Sequence, residues 1–371
     1  MDALTELGAL LRPAGMGVHL VSTGRNEQLE LARRLYRAQD ERGVQSAFER
    51  TLETVRQARG VVLGVPSDVG AGYRRGSNVA PMALRQALLD EDSDWPARAA
   101  ELGIVDVGDV PCVPQLLLDE MCSAAQLDAS RRALYPTLPA SSREGLPVAP
   151  LSIAERALQR IAELNPRAVP IVLGGDHSVA WPVARVLART HPDFGIVQPD
   201  AHTDLLEERL GVRICFATWS RHAASLLRRP DRLVQVGVRA SRHDRAYWEA
   251  HTGVRQFWAD QCLSDPNAAL DAIVSHLRET GARGVYFSND IDGTDPAFAA
   301  STGTPEPGGL TPPFVETLVR RLGHEIGLVA ADLVEVAPPL GPTPEQTART
   351  LRTATGYLRA TLDAIVRGRT P

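Results

Sequence analysis

The sequence predicts an α/β fold built on a mostly parallel sheet, and three observations predict it. Short apolar runs rich in Val and Ile recur from residue 60 onward, each stopping at Asp, Gly or Pro, as buried strands do. Amphipathic helical stretches lie between them, so successive strands are joined by right-handed crossovers and run parallel. No internal repeat and no low-complexity linker divides the 371 residues, which fit one large α/β domain.

Residues 1–58 read as an N-terminal helical extension. Asn26 to Ala58 mixes three- and four-residue apolar spacing with many Arg and Glu, which predicts two helices packed on the main domain or on a neighbouring subunit. The main domain, 59–371, opens with the strand "GVVLGVPSD" (Gly60 to Asp68), a Gly-rich loop "VGAGYRRGSN" and the helix "APMALRQALL". "GIVDVGDV" is a second strand. Residues 111–150, rich in Pro and Ser, read as a loop or lid with a short helix near "LLLDEMCSAAQL". After the helix "SIAERALQRIAEL" come the strand "AVPIVLGGD", the helix "HSVAWPVARVLART" and the strand "DFGIVQPD". Then follow the strand "DRLVQVGVR", the helix "PNAALDAIVSHLRET", the strand "RGVYFSNDID", the helix "TPPFVETLVRRLG", the strand "IGLVAADLVEV" and a long final helix.

The bulk numbers narrow the setting. A net charge of −5 gives no sign of a nucleic-acid surface. Four scattered cysteines form neither a disulfide framework nor a zinc-knuckle spacing, which points to a reducing compartment. The start lacks the basic and apolar regions of a secretory signal, and no apolar run reaches the ~20 residues of a membrane helix. A cytoplasmic location and no membrane partner are expected.

In open parallel sheets, ligands bind beyond the carboxyl ends of the strands. The strong polar residues gather there: Asp176 and His177, then Asp200, His202 and Asp204, then Asp290 and Asp292, then Glu335. In an extended backbone, side chains two apart point the same way, so each of these sets can converge. A lone "DAH" or "SNDID" would read as a turn or cap; three such motifs at strand ends do not. Carboxylates gathered without cations would repel and raise one another's pKa. Four Asp and two His balance two divalent ions instead. Carboxylate oxygens with some imidazole and no thiolate favour Mn²⁺ over a structural zinc, with Ni²⁺, iron or cobalt compatible with the same ligands.

These motifs resemble those of the ureohydrolases, the family of arginase and agmatinase. "GGDHS" (Gly174 to Ser178), "DAHTD" (Asp200 to Asp204) and "SNDIDGTDP" (Ser288 to Pro296) with "TGTPEPGGL" carry the likeness, which spans roughly residues 60 to 365. Arg85, "DVGDV" and "DLVEVAP" are weaker echoes. The resemblance implies a three-layer α/β/α sandwich and a binuclear manganese site with His177, Asp200, His202, Asp204, Asp290 and Asp292 as ligands. It implies that Glu335 holds the cationic guanidinium or amidinium, that Asp204 relays a proton, and that the chain is a homo-oligomer, a trimer or hexamer. The chemistry would be attack of a metal-bridging hydroxide on the guanidino carbon, releasing urea and an amine.

The sequence also departs from the family. The His-Gly pair that follows DAHTD in arginases and agmatinases is missing. Cys215 falls near its place and the nearest imidazole is His222, so either the shuttle is missing or His222, or else Cys215, takes its part; His222 is the candidate catalytic residue and Cys215 reads more simply as a buried small apolar residue. The residues that read the α-amino acid end of arginine are absent, so a guanidino or amidine compound other than arginine is expected. Agmatine, a guanidino acid and free guanidine all fit. Trp219 and Asn289 are candidate substrate contacts. Three other readings compete: a formiminoglutamase-like hydrolase of a formimino compound, a one-zinc deacetylase-like amidohydrolase, and a metal-binding homologue without catalysis.

Overall fold

The computed structural model describes residues 1–18 and 24–369. Eight strands form one sheet: β1 (Gly60–Val65), β2 (Ile104–Asp109), β3 (Val169–Gly174), β4 (Phe194–Pro199), β5 (Leu233–Val238), β6 (Arg255–Trp258), β7 (Gly284–Asp290) and β8 (Leu328–Val334). All pairings are parallel, in the order β2-β1-β3-β8-β7-β4-β5-β6. The sequence pattern gives seven of these strands. It misses β6, whose four residues at the sheet edge are too few to show a period.

Side chains alternate across the strands, and each face is sealed by helices. Val61, Leu63 and Val65 of β1 join Val172, Ile196 and Tyr286 in a core under the helices Pro150–Leu164 and Ala180–Thr190. Val62 joins Leu173, Val197, Phe287 and Leu333 on the other face. That face is covered by Ala80–Glu91, Pro266–Glu279, Pro312–Glu325 and Pro344–Arg367. Strands buried on both faces read as unbroken apolar runs, which is why they were visible in the sequence.

Among the described residues, the first 58 hold three α-helices, Ala3–Leu10, Arg25–Tyr36 and Glu41–Glu53; the last two occupy the stretch expected to hold two. Leu7, Leu10, Phe48, Leu52 and Val55 share one core with β1, so the extension packs on the main domain. Asp109, at the end of β2, fastens it: its Oδ2 accepts the N–H of Gly15 at 2.9 Å and of Gly17 at 3.3 Å. Its Oδ1 pairs with Arg85 Nη1 at 2.5 Å, and Arg85 also grips Asp106 through Nε at 2.7 Å.

The 111–150 segment is packed more firmly than a lid. Its longer helix is Ala124–Leu134, which overlaps only the last four residues of the expected one, because Ser123 and Gln126 close a capping box there; a short turn of helix follows at Ala140–Arg143. The apolar Leu117 and Leu118 are spent on the core instead. Asp119 accepts the N–H groups of Val148 and Ala149 and ties the two ends together.

Asp109→Ala should leave the buried Arg85 guanidinium half-paired and free the Gly15–Gly17 turn. Breaking such a pair costs about 3–5 kcal/mol. Urea unfolding should show a loss of that size, and a loss below about 1 kcal/mol would mean that the pair does not hold the extension.

Candidate metal centre

The four central neighbours of the sheet, β3, β8, β7 and β4, deliver the polar residues to one rim. They do so by turns rather than by strand alternation. β4 ends at Pro199 and β7 at Asp290, so Asp200, His202, Asp204 and Asp292 all lie beyond the strands. Beyond three of these four strands, β3, β4 and β7, an Asp side chain accepts the N–H two residues on. Asp176 Oδ1 takes Ser178 N at 2.8 Å, Asp200 Oδ1 takes His202 N at 2.7 Å and Asp290 Oδ1 takes Asp292 N at 2.8 Å. These Asx-turns fold the chain back tightly, so that Asp200 and His202 enter one donor group and Asp290 and Asp292 enter two adjoining ones.

Two donor groups result. His177, Asp200 and Asp290 form one; Asp200, His202 and Asp292 form the other; within each, the donor atoms all lie within 4.8 Å. Asp200 belongs to both. His177 Nδ1 stands 3.3 Å from Asp200 Oδ2, 3.2 Å from Asp204 Oδ2 and 3.1 Å from Asp290 Oδ2. His202 Nδ1 stands 3.1 Å from Asp292 Oδ2 and 3.6 Å from Asp200 Oδ1. All six expected ligands are therefore in one cluster.

The cluster fits a cation pair. His177 Nδ1 is buried and has no hydrogen-bond partner although three carboxylates ring it. Donor atoms about 2 Å from a shared divalent ion stand about 3 Å from one another. Other contacts hold the ligands in place. His177 Nε2 meets Ser288 Oγ at 3.1 Å, Ser288 Oγ donates to Asp332 at 2.9 Å, and Tyr286 donates its hydroxyl to the same carboxylate. This chain fixes the ring so that Nδ1 faces the carboxylates. Trp219 donates its indole N–H to Asp204 Oδ2 at 3.1 Å, and Thr304 donates to Asp292 Oδ2 at 3.0 Å.

Without cations the charges disturb one another. Burial, then Asp200, pushes the Asp204 carboxyl up to about 6. Burial, then Asp292 and Asp200, raises Asp290 well above the ordinary range. Burial opposes a charged His202, but Asp292 and Asp200 outweigh it and push the imidazole up to about 12.

Glu335 follows β8 at the same rim. Its Oε1 accepts the N–H of His177 at 2.9 Å, and Gly303 faces its Oε2, where a Cβ would come within 3.9 Å. Asp204 (φ 50°) and Glu335 (φ 59°) both take the left-handed conformation, which costs a non-glycine residue about 1–3 kcal/mol. Such strain persists where the surroundings over-determine it, as they do at a built site.

The remaining expected residues sit elsewhere. Trp219 is fully buried beneath His177, ring centroids 4.6 Å apart, where it supports ligands instead of lining a pocket. Alternation along β7 puts Asn289 on the face opposite Ser288 and Asp290, where its Oδ1 finds no partner. His222 bonds the Glu207 carbonyl at 2.9 Å and leans on Trp181, making no contact with the cluster. Cys215 is buried and lines a separate cavity of about 350 Å³ with Gly70, Leu116 and Phe216. Ser288, Asp332 and Thr304 were missed as site residues, although all lie inside or beside the quoted motifs.

A parallel α/β sandwich that gathers this donor set at one strand rim has the architecture of a two-metal hydrolase. The comparisons place it more closely: the arginase family model matches residues 58–358, and the chain belongs to that family. It is 31% identical to a guanidinobutyrase of Pseudomonas aeruginosa over 289 residues, 76% of this chain and 79% of that one. It is 28% identical to an agmatinase of Bacillus cereus over 300 residues, 78% of this chain and 88% of that one. Among solved structures, proclavaminate amidino hydrolase from Streptomyces clavuligerus aligns with a TM-score of 0.64 at 29% identity, over 83% of this chain and 92% of that one.

The raised pKa values give a sign. Asp204, Asp290 and His202 are all shifted upward, and an arriving ion competes with their protons, so the metal-free fold loses their contribution as pH rises through the folded values, while ion affinity grows. Mn²⁺ affinity should climb between pH 6 and 8 by about tenfold per unit for each proton released. Titration calorimetry in buffers of different ionisation enthalpy should detect the released protons; a pH-independent affinity would contradict the cluster's assignment.

Proposed function

We propose that this chain hydrolyses a guanidino compound other than arginine, releasing urea and an amine, at a centre of two divalent ions, with manganese the preferred metal. The observation that carries this reading is Asp200, shared between two donor groups, with Glu335 beside them on the next strand end. His177, Asp290 and Asp204 would hold one ion, His202 and Asp292 the other, and Asp200 would bridge. Two bound ions would supply a water deprotonated at neutral pH, the strong nucleophile that a resonance-stabilised guanidinium carbon requires.

The side chains do the rest. Glu335 uses Oε1 on the His177 N–H, and its Oε2 would take the substrate cation. Burial, then Asp176, raises the Glu335 carboxyl well above its usual range, and an arriving guanidinium reverses that by pairing with it. The pair sets the guanidino carbon beside the shared ligands, which is positioning catalysis. Asp204, braced by the Trp219 indole, would accept a proton and pass it to the leaving nitrogen. The relatives named for guanidinobutyrate and agmatine hydrolysis support the substrate class. The reading takes 59–371 as the catalytic domain and 1–58 as an extension of it. It also takes the chain as a cytoplasmic homo-oligomer, a trimer or hexamer, on family resemblance. No helix among the described residues is long and apolar enough to cross a membrane.

The test is urea release from agmatine, guanidino acids, guanidine and arginine with Mn²⁺, Ni²⁺ or Co²⁺ supplied. Turnover of a compound other than arginine is expected; arginine as the best substrate, or no turnover at all, overturns the reading. Asp200→Asn should lose both ions and reduce activity to background. Glu335→Gln should keep two ions yet lose roughly 10- to 150-fold in kcat/KM, from about 1.5–3 kcal/mol of charge-assisted bonding. Metal analysis beside the kinetics separates the two variants, and an Asp200→Asn protein with full metal would refute the bridging role.

A further inference from the structure

We propose that Arg239 is the positioning residue of the second ion site, holding Asp292 and the 304–307 loop in register with His202; this rests on the two-ion reading above. Arg239 follows β5, a strand that supplies none of the six ligands. Its backbone joins the first ligand segment, because the N–H groups of Arg239 and Ala240 both bond the Ala201 carbonyl at 3.0 Å, between Asp200 and His202. Its guanidinium reaches the Asp292–Gly293 segment and the 304–307 loop. Nη2 donates to the carbonyl of Asp292 at 2.7 Å and of Glu306 at 2.7 Å; Nη1 donates to Gly237 at 3.0 Å and Gly293 at 3.2 Å; Nε donates to Glu306 and Pro307, each at 3.2 Å.

An arginine with that many bonds would ordinarily face a carboxylate. Here its side-chain hydrogen bonds all run to backbone carbonyls, so the side chain serves as a cross-brace between loops. The planar fork of five N–H donors suits that task, and a lysine ammonium cannot span it. The brace has a local output. It seats Thr304, which donates to Asp292 Oδ2 at 3.0 Å, and Glu306, whose Oε1 lies 3.9 Å from His202 Nε2. Gly309 is part of the fit, since a Cβ there would lie 2.5 Å from Arg239 Nη2. The His177 side of the cluster is braced separately, by Ser288, Asp332 and Trp219. Losing Arg239 should therefore loosen one ion and spare the other.

The experiment uses the full chain stripped of metal, with Mn²⁺ uptake followed by titration calorimetry and the melting temperature of the stripped protein measured in parallel. The wild-type chain should take up two ions; fewer than two sinks the two-ion reading and this proposal with it. Arg239→Gln should bind one ion as the wild type does and the second about 10- to 100-fold more weakly. Arg239→Lys should fall between, and the stripped proteins should melt within a few degrees of one another. Two ions bound as in the wild type overturn the proposal alone, and so does equal weakening of both ions with a lower melting temperature of the stripped variant. Should the Gln variant fail to fold, Arg239→Lys and Thr304→Val decide: each should weaken only the second ion, and unchanged uptake in both overturns the proposal.

Discussion

Everything at this rim depends on the mutual repulsion of four aspartates held in a largely dry place. Burial and the nearby carboxylates push Asp204 and Asp290 above the ordinary range, while the two imidazoles hold Asp200 below it. Two histidines relieve part of the strain, as the raised imidazole pKa values record. The orphaned Nδ1 of His177 marks where relief is still missing. A divalent pair supplies it, so the fold and the ion site stabilise each other. Buried charge that would be a liability in an ordinary core becomes the feature that selects cations.

The sheet makes this arrangement affordable. Ser288 in β7 and Asp332 in β8 lie on neighbouring strands, and their register brings the Ser288 hydroxyl to the Asp332 carboxylate. The hydrogen-bond chain from His177 to Tyr286 is therefore built into strand pairing rather than into a mobile loop. The loops then add only the last step, in three Asx-turns of the same geometry at Asp176, Asp200 and Asp290. A rigid scaffold with short, hydrogen-bonded turns is what a site needs when ligand atoms must stay within tenths of an ångström.

The expected convergence of Asp200, His202 and Asp204 came about by a different route from the one the sequence suggests. Alternation in a strand would have aimed all three side chains alike, yet the strand stops at Pro199 and Asp204 sits at positive φ. The substrate-side residues show the opposite outcome. Trp219 and His222 stand on the same short helix, but one is buried under the ligands and the other turns outward toward Glu207. Nothing in their spacing separates those fates.

The sequence by itself determined the alternation of apolar strands and amphipathic helices, and it marked the six candidate donor residues near the strand ends. Those features are local: apolar runs, periodicity and residue type are written along the chain. Only the tertiary structure decided which strands are neighbours, and hence that Asp200 is shared by two donor groups. It alone decided that Ser288 and Asp332 orient His177, that Arg239 braces loops from an otherwise silent strand, and that Asn289 faces the wrong side. The physical reason is that each of these depends on contacts between residues far apart in sequence, where burial and packing set direction and no local pattern records the partner.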